Sequence, residues 1–495
     1  SGSTGKADIV LYLNQIQQSL KPLEKLREIY ADMKPGTTTE KFDWNYFIRH
    51  IAIIAVPVAL QNLLTTTGSM VDTMMLASLG EQTVGAVGLC AQFSSLMFAG
   101  YWGFVGGGML FFSQYWGAKN DDGITRSFGL TLSFMLTVGI FFGILALAAP
   151  ELIMNIYTDK PEIQQIGISY LRIVGVAYVL QVLSMAVSAL LRSIEQVKIP
   201  LYGGMASVAA NCFFNYILIF GKFGLPGMGV RGAALGTVLA GGVNLLFLLF
   251  FVVKNKIPYV LEFSRHFRWS REFIRQYLQK CFPIICNEVL IGVGNMMINI
   301  VLGHQSEKAI AAVAVFRTLE GLVIAFFSGF SNAATVLVGK EVGAGNHEVA
   351  FQRAKRLVYL CSALIGTACL GVIAIHNPLL HAMGLSGESY AIGTGMLLIY
   401  SAAALIRMGN WTQNDTYRSA GDAAFGSVME ITFMYLMVLP CVYLANYAFH
   451  APFLLIFALC YVDEPVRYII MQRHMYSGKW VKPVSDEGIR TIGEF

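Results

Sequence analysis

The chain has 495 residues, of which 55% are apolar and only 13% are charged, with a mean hydropathy of +0.58. Soluble domains usually carry about 25% charged residues, so this composition argues against a water-soluble enzyme. The net charge of +5 comes from basic residues that lie mostly between apolar stretches, which is typical of membrane topology rather than of nucleic-acid binding.

The first predicted element is a broken amphipathic helix within residues 8–34. Apolar residues from Val10 to Ile29 recur at roughly helical spacing among charges, and Pro22 interrupts them. We interpret residues 1–44 as a cytoplasmic extension whose amphipathic helix lies on the membrane or packs beneath it.

About twelve apolar runs follow, each long enough to cross a bilayer as a helix of about 20 residues. The sequence therefore predicts an all-α polytopic membrane protein with twelve transmembrane helices. The first six predicted spans are 48–76, 84–113, 128–149, 165–190, 199–220 and 232–253. The second six are 281–302, 309–338, 356–376, 390–411, 427–447 and 452–472. The predicted domains are an N-terminal lobe (45–260), a C-terminal lobe (261–475) and a cytoplasmic tail (476–495).

The connectors between spans differ in charge on the two sides of the predicted bundle. Residues 254–280, between the sixth and seventh spans, are rich in Lys and Arg, and the connectors after the second, fourth, eighth and tenth spans also hold basic residues, among them Lys119, Arg192, Arg353 and Arg418. Positive connectors mark the cytoplasmic side. We therefore expect a multi-pass protein of the plasma membrane (the inner membrane in a bacterium) with both termini in the cytoplasm.

The two predicted lobes are related by internal repetition. A shift of 226 residues places Pro57 on Pro283, and it also aligns several Gly, Asn, Glu and Arg positions. The aligned pairs are Glu81/Glu307, Gly103/Gly329, Gly117/Gly343, Asn120/Asn346, Glu162/Glu388 and Arg192/Arg418. Each repeat has an even number of spans, so the halves should be related by a pseudo-twofold axis along the membrane normal. Such halves usually enclose a cavity that opens alternately to either side, which is the architecture of a transporter.

Each lobe carries a polar stripe with one carboxylate on its first helix. Gln61, Thr65, Gly68 and Asp72 occupy positions i, i+4, i+7 and i+11 of the first span, and therefore share one face. An ionisable residue within a span is costly unless it faces a cavity or a partner, so it is a functional candidate. We expect Gln61 and Thr65 to line the substrate cavity. The alternative interpretation of Asp72 is that its carboxyl group is neutral and is satisfied by hydrogen bonds between helices.

The seventh span has the corresponding stripe. Glu288, Gly292, Asn295 and Asn299 repeat the same spacing, and we expect Glu288, Asn295 and Asn299 to line the cavity as well.

The fifth span adds two amide side chains on one helical face. Asn211 and Asn215 are one turn apart, and their oxygens, with the Asp72 carboxylate and the Thr237 hydroxyl, would suit a small hard cation or a proton. Asparagine pairs also join helices within membranes, and the spacing alone favours neither interpretation.

Several segments resemble the multidrug and toxic compound extrusion (MATE) transporters. The N-terminal segments are Pro57, Val71-Asp72-Thr73, Ser113-Gln114-Tyr115-Trp116-Gly117-Ala118, Leu191-Arg192-Ser193, Asn211…Asn215-Tyr216 and Gly232-Ala233-Ala234-Leu235-Gly236-Thr237. In the second half, Arg418-Ser419-Ala420-Gly421-Asp422 is similar to an Arg-Gly/Ala-Gly-Gly-Asp motif of the family. The resemblance covers roughly residues 45–475, and the motifs together are specific.

The resemblance implies two six-helix lobes that export organic cations or other amphiphiles against inward Na⁺ or H⁺. It implies that Asp72, Asn211, Asn215 and Thr237 form the cation or proton coupling site, with Asp72, Asn211 and Asn215 as the Na⁺ ligands. Many relatives carry aspartate at Asn215, so the implied site here has one negative charge fewer.

In the C-terminal lobe, the resemblance matches Glu288 to a seventh-helix glutamate that another branch of the family uses. That branch pairs the glutamate with a tenth-helix aspartate, for which Asp415 is the nearby acid, although its register relative to Arg418 differs. Glu430 of the eleventh span lies where relatives often have an acid, and we expect it to line the cavity.

Two other classes of transporter would have different sequence features. A lipid or oligosaccharide flippase of the same superfamily would usually have more than twelve helices and more charge along its cavity. A major-facilitator transporter would carry a basic Gly-x-x-x-Asp-Arg loop after the second span, where residues 117–121 here are Gly-Ala-Lys-Asn-Asp. We expect a monomer in the bilayer, small cationic or amphiphilic drug-like substrates, no nucleic acid, no enzymatic activity, and no cofactor apart from the coupling Na⁺ or H⁺.

Overall fold

The computed structural model describes residues 44–495, and this range is almost entirely helical. In that range the strand-like pairing is a single bridge between Gly421 and Val481. The predicted all-α fold is confirmed. The predicted amphipathic segment, residues 8–34, lies outside the described residues.

Six long helices form the N-terminal lobe. They are α1 (Trp44–Ala77), α2 (Glu81–Gly117), α3 (Asp121–Ala148), α4 (Pro161–Ser193), α5 (Lys198–Phe220) and α6 (Val230–Lys254). The C-terminal lobe contains α7 (Arg271–Gly303), α8 (Glu307–Gly343), α9 (His347–Ala374), α10 (Gly387–Ser419), α11 (Ala423–Ala448), α12 (Phe453–Leu459) and α13 (Glu464–Tyr476). Short helices Pro150–Tyr157, Pro258–Leu261, Phe263–His266, His376–Ala382 and Asp486–Thr491 lie in the connections and the tail.

Polar side chains fix where several of these helices begin. The Asn120 side chain accepts a hydrogen bond from the backbone of Gly123 at the start of α3, and Ser270 and Ser306 cap α7 and α8 in the same way. Each cap satisfies a backbone N–H that would otherwise have no partner in the first turn.

Eleven helices in the described range are long and apolar enough to span a membrane, one fewer than the sequence predicts. The predicted twelfth span, 452–472, is divided into α12 and α13. Pro465 has no N–H to donate to the Tyr461 carbonyl, which instead accepts from the Glu464 backbone at 3.2 Å. The charged pair Asp463 and Glu464 lies at this break.

The lobes meet through α2, which packs against α7 and α8 of the other lobe. A Cβ added to Gly117 would lie 1.8 Å from the Lys340 carbonyl oxygen, and one added to Gly343 would lie 1.9 Å from the Gln114 carbonyl oxygen. The 226-residue repeat places Gly117 on Gly343 and Gln114 on Lys340, so each contact is the counterpart of the other. A pseudo-twofold axis therefore passes between the ends of α2 and α8. We call this region, residues 113–117 and 339–343, the closed end.

The tail packs against the closed end. Val484 donates its backbone N–H to the Gln114 side chain at 2.8 Å, and the Ser485 hydroxyl donates to the Gly343 carbonyl at 2.7 Å. Gln114 also donates to the Ser419 carbonyl at 2.7 Å. The tail therefore contacts both lobes where they touch.

Candidate functional site

A cavity of about 550 Å³ lies between α2 and the helices of the C-terminal lobe. On α2 it is lined by Phe98 and Trp102, whose rings are stacked with their centroids 4.8 Å apart. Gly103, the next residue along α2, makes the first of the close glycine contacts with the other lobe, because an added Cβ there would lie 2.8 Å from the Ile285 Cα atom. The cavity is therefore bounded on one side by the contact between the lobes, and its size is that of a small-molecule site.

Acidic side chains from three helices meet at the part of this cavity nearer the closed end. Arg418 of α10 lies 3.5 Å from Glu288 of α7 and 3.6 Å from Asp415 of its own helix. Glu430 of α11 also lines the cavity. Two carboxylates thus flank the Arg418 guanidinium and Glu430 adds a third carboxylate to the cavity, so this part of the cavity carries an excess of negative charge.

Two amide side chains hold Glu430 in place. Asn287 and Asn414 each donate a hydrogen bond to Glu430 Oε2, at 3.0 Å and 3.1 Å. Glu430 is therefore fixed by donors from α7 and α10. The oxygen atoms of the Asn287 and Asn414 amides are buried without a hydrogen-bond partner.

The coupling residues expected in the N-terminal lobe form a separate cluster. The Asn215 amide donates to Asp72 Oδ1 at 2.5 Å and to Asn211 Oδ1 at 3.2 Å, which joins α5 to α1. Gly236 of α6 approaches so closely that an added Cβ would lie 2.0 Å from Asn215 Oδ1. Thr237 follows on α6 and donates its hydroxyl to the Ala233 carbonyl at 3.0 Å.

This N-terminal cluster offers oxygen atoms suited to a small cation. Asn215 is fully buried, and its Oδ1 atom accepts no hydrogen bond. In the present orientation the Asn215 nitrogen faces the Asp72 and Asn211 oxygens, so a monovalent cation bound by all three residues requires this amide to turn over, which would also give Asn215 Oδ1 a partner. Within residues 44–495, no group of three or more His, Cys, Asp or Glu side chains is arranged to hold a metal ion.

The remaining predicted cavity residues fall in three places. Asn295 lines the 550 Å³ cavity with Glu288 and Glu430. Asn299 accepts a hydrogen bond from Arg317 at 2.9 Å and lines a smaller adjoining pocket. Gln61 accepts from the buried Arg192 at 2.8 Å, and Thr65 donates to its own helix; neither is among the residues that line the cavity.

Helix α10 contributes more to the cavity than the sequence analysis recognised. Arg407, Trp411, Asp415 and Arg418 all line it, at positions i, i+4, i+8 and i+11. This spacing has the same periodicity as the stripes recognised on α1 and α7, but Asp415 and Arg418 lie beyond residue 411, where the tenth span was predicted to end.

The comparison with sequence families matches both lobes. The profile of the MatE family covers residues 57–217 and 283–444, which begin at the two proline positions related by the internal repeat. This match sets aside the major-facilitator alternative.

Individual relatives are distant but cover most of the chain. The uncharacterized transporter YisQ of Bacillus subtilis (strain 168) is 24% identical over 424 residues, which are 83% of this chain and 90% of that relative. The probable multidrug resistance protein YoeA of the same strain is 23% identical over 392 residues, 77% of this chain and 83% of that relative.

A solved structure shares the fold. The crystal structure of MATE in complex with MaL6 superposes with a TM-score of 0.78 at 18% identity, over 87% of this chain and 97% of that chain. At this identity, the likeness shows that the two folds are the same.

Proposed function

Because the chain belongs to the MatE family, we propose that it is a secondary active antiporter that exports organic cations and drug-like amphiphiles in exchange for Na⁺ or H⁺. Transport proceeds by alternating access between the two lobes. The protein acts in the plasma membrane with both termini in the cytoplasm, without a resident cofactor.

The proposal is carried by the separation of two carboxylate sites. Asp72, with Asn211 and Asn215, lies in the N-terminal lobe, whereas Glu288, Asp415 and Glu430 lie in the cavity of the C-terminal lobe. An antiporter needs to bind a coupling ion and a substrate at sites that influence each other. Two lobes with one carboxylate site each meet that requirement.

Asp72 is the residue to which we assign the coupling ion. Its helix ends five residues later at Ala77, at the end of the bundle opposite the closed end. An ion arriving from that side therefore reaches Asp72 before it reaches Glu288, which lies mid-way along α7. When the ion binds, it competes with the Asn215 amide for the Asp72 and Asn211 oxygens and changes how α5 packs against α1.

The cavity of the C-terminal lobe is the proposed substrate site. Its excess of carboxylates attracts cations, since a pair of opposite charges at about 4 Å gains on the order of 4 kcal/mol at an effective dielectric constant of 20. The stacked Phe98 and Trp102 rings offer a surface for a planar apolar group. The names of relatives such as YoeA support drugs as the substrate class.

The closed end defines the conformational step. The contacts of Gly117 and Gly343 must separate before the cavity can open there, together with the ion pair between Lys340 of α8 and Glu195 of the other lobe, which spans 2.9 Å. In this proposal the closed end is cytoplasmic, like the termini.

Transport by the purified protein in sealed vesicles tests the proposal. Protein of known orientation is reconstituted, a Na⁺ gradient and a pH gradient are imposed separately, and the movement of a panel of cationic dyes is followed. We expect export driven by at least one gradient and abolished when that gradient is collapsed. Dye movement that is indifferent to both gradients would contradict antiport, and movement of fluorescent lipid analogues instead of dyes would favour a flippase.

A further inference from the structure

A second set of charged residues lines the same cavity farther from the closed end. Arg317 of α8, Arg407 of α10 and Arg467 of α13 converge on it from three different helices. Charged side chains within membrane helices are costly, so three arginines directed at one cavity call for a functional explanation.

These arginines are held by carboxylates. The two oxygens of Glu320 are shared between Arg317 at 2.6 Å and Arg407 at 2.8 Å. Glu464 pairs with Arg467 at 2.8 Å and lies 3.8 Å from Arg407. Asp463 also lines the cavity and lies 3.4 Å from Arg467, so three carboxylates balance the three arginines; the Asp463 and Glu464 side chains are only 7% and 6% exposed.

The arginines face the cavity, and the main carboxylate that holds them does not. The Arg317 and Arg407 side chains are 41% and 25% exposed, whereas that of Glu320 is 4% exposed. Near the closed end the order is reversed, because Glu288 and Asp415 are 27% and 20% exposed and Arg418 is 14% exposed. A ligand thus meets guanidinium N–H donors at one end of the cavity and carboxylate oxygens at the other.

Helix α10 carries both ends of this arrangement on one face. Arg407 and Asp415 are eight residues apart, which corresponds to about 12 Å along a helix, and Trp411 lies between them. The order along the face is therefore a cation, an aromatic ring and an anion.

We propose that the cavity binds a dipolar amphiphile, with an oxyanion such as a carboxylate or sulfonate on Arg317 and Arg407 and a cationic amine on Glu288 and Asp415. The apolar centre of the ligand packs against Trp411, Trp102 and Phe98. We call Arg317 and Arg407 the anion subsite. This inference rests on the proposed function, because it takes the cavity as the substrate site.

The Arg317 guanidinium has hydrogen-bonding capacity left for such a ligand. Arg317 gives one N–H to Glu320 and another to Asn299, and its fork of donors also faces the cavity. A carboxylate or sulfonate matches this geometry, since arginine binds planar oxyanions through two parallel hydrogen bonds.

Binding of two matched dyes by the purified protein tests the anion subsite. Rhodamine 110 carries a cationic xanthene and a free carboxylate, and rhodamine 123 is its methyl ester, so the pair differs in the oxyanion. Binding is followed by fluorescence anisotropy without any ion gradient. We expect R317Q and R407Q each to weaken rhodamine 110 binding about tenfold, the loss of a hydrogen bond between charged groups, and to change rhodamine 123 binding less than about twofold.

The variants are chosen so that neither leaves a buried acid without an arginine. Glu320 keeps Arg407 in R317Q and Arg317 in R407Q, while Glu464 keeps Arg467 in both. R172Q is the matched control, because Arg172 pairs with Glu151 at the exposed surface and both side chains are more than half exposed. Thermal unfolding of each variant verifies that the fold is retained.

The outcomes distinguish a failure of the anion subsite from a failure of the proposed function. A selective loss of rhodamine 110 binding supports the anion subsite. Equal effects on both dyes, or none on either, would overturn the anion subsite and leave the arginines with a purely structural role. In that case, gradient-driven export of both dyes would still support the proposed function. Selective binding without export of either dye would contradict the proposed function and leave the anion subsite standing.

Discussion

The side-chain nitrogen of Asn215 stands between two oxygens, 2.5 Å from Asp72 Oδ1 and 3.2 Å from Asn211 Oδ1. It donates to both of them, and so it occupies the place that a small cation would take between the same atoms. A bound cation and this amide therefore compete for the same oxygens. The strength of ion binding in the N-terminal lobe should depend on which group stands at position 215.

Asn215→Asp should tighten monovalent cation binding. The change places a second carboxylate within hydrogen-bond distance of Asp72, and two such carboxylates repel unless a cation or a proton is shared between them. We expect Na⁺ to raise the thermal unfolding midpoint of the variant more than that of the wild type, as follows when a ligand binds only the folded state.

Asn446→Asp is the control for added charge. Asn446 bonds to Gln305 near the end of α11, away from the Asp72 cluster. If Na⁺ stabilises Asn215→Asp no more than Asn446→Asp or the wild type, then position 215 does not control cation binding.

Glu288→Gln should weaken the binding of cationic substrates much more than that of neutral ones. The substitution removes one of the carboxylates around Arg418 and reduces the excess of negative charge in the cavity. We expect roughly a tenfold rise in Kd for a cationic dye, which corresponds to about 1.4 kcal/mol, and residual gradient-driven export.

Glu272→Gln provides a comparison on the same helix, because Glu272 lies in the exposed first turn of α7. Equal loss for cationic and neutral substrates, with ion coupling also lost, would make Glu288 a coupling residue instead of a substrate ligand.

Gly343→Val should prevent full closure at the closed end. The new side chain would collide with the Gln114 backbone, since even a Cβ would lie 1.9 Å from that carbonyl oxygen. Overpacking costs about 1–3 kcal/mol, enough to shift a two-state equilibrium about tenfold. Spin labels at Lys119 and Asn346 should report longer distances in the variant than in the wild type.

Gly371→Val on α9 serves as the control, because a Cβ there meets nothing within 4 Å. An unchanged distance distribution in Gly343→Val would mean that the two glycines do not limit the approach of the lobes.

Asp422→Asn should destabilise the fold at neutral pH but not in acid. The pKa of Asp422 is lowered: burial acts to raise it, but hydrogen bonds from His474 at 2.9 Å and Lys482 at 2.8 Å outweigh burial. The ionised form is thus favoured by folding. Its contribution is present above the unfolded pKa of about 3.9 and is lost as the pH falls through the lower folded pKa.

Unfolding midpoints of Asp422→Asn and the wild type, compared at pH 7 and then in steps toward pH 3, check this expectation. The difference between the two unfolding midpoints should correspond to about 1–3 kcal/mol of stability at pH 7, and it should become smaller in acid. A gap that stays constant or widens as the pH falls would contradict the assigned role of the Asp422 carboxylate.

The periodicity of the sequence was enough to predict the helices and the two lobes. Runs of apolar residues and the 226-residue repeat can both be found by comparing parts of the sequence with one another, and the structure retains both. The twelfth span was predicted as one helix, because hydropathy does not register that Pro465 removes a backbone donor.

Residue spacing predicted the candidate sites only where their residues share one helix, whereas the grouping of Asp72 with Asn211 and Asn215 across helices came from the resemblance to a family. Asp72 and Glu288 stand on polar stripes, and Asn211 and Asn215 are one turn apart, so spacing exposed them. The pairing of Arg192 with Gln61 and of Arg407 with Glu320 joins helices far apart in the chain, and helical periodicity holds no information about such contacts.

The central claim is that Asp72 couples ion entry to substrate export, and gradient-driven dye export by Asp72→Asn tests it most directly. Wild type and variant are reconstituted in matched, oriented vesicles, and export is measured under the gradient that drives the wild type, with folding verified by thermal unfolding. We predict that the folded variant loses gradient-driven export while still binding the dye. Export at the wild-type rate with the same dependence on the gradient would contradict the claim.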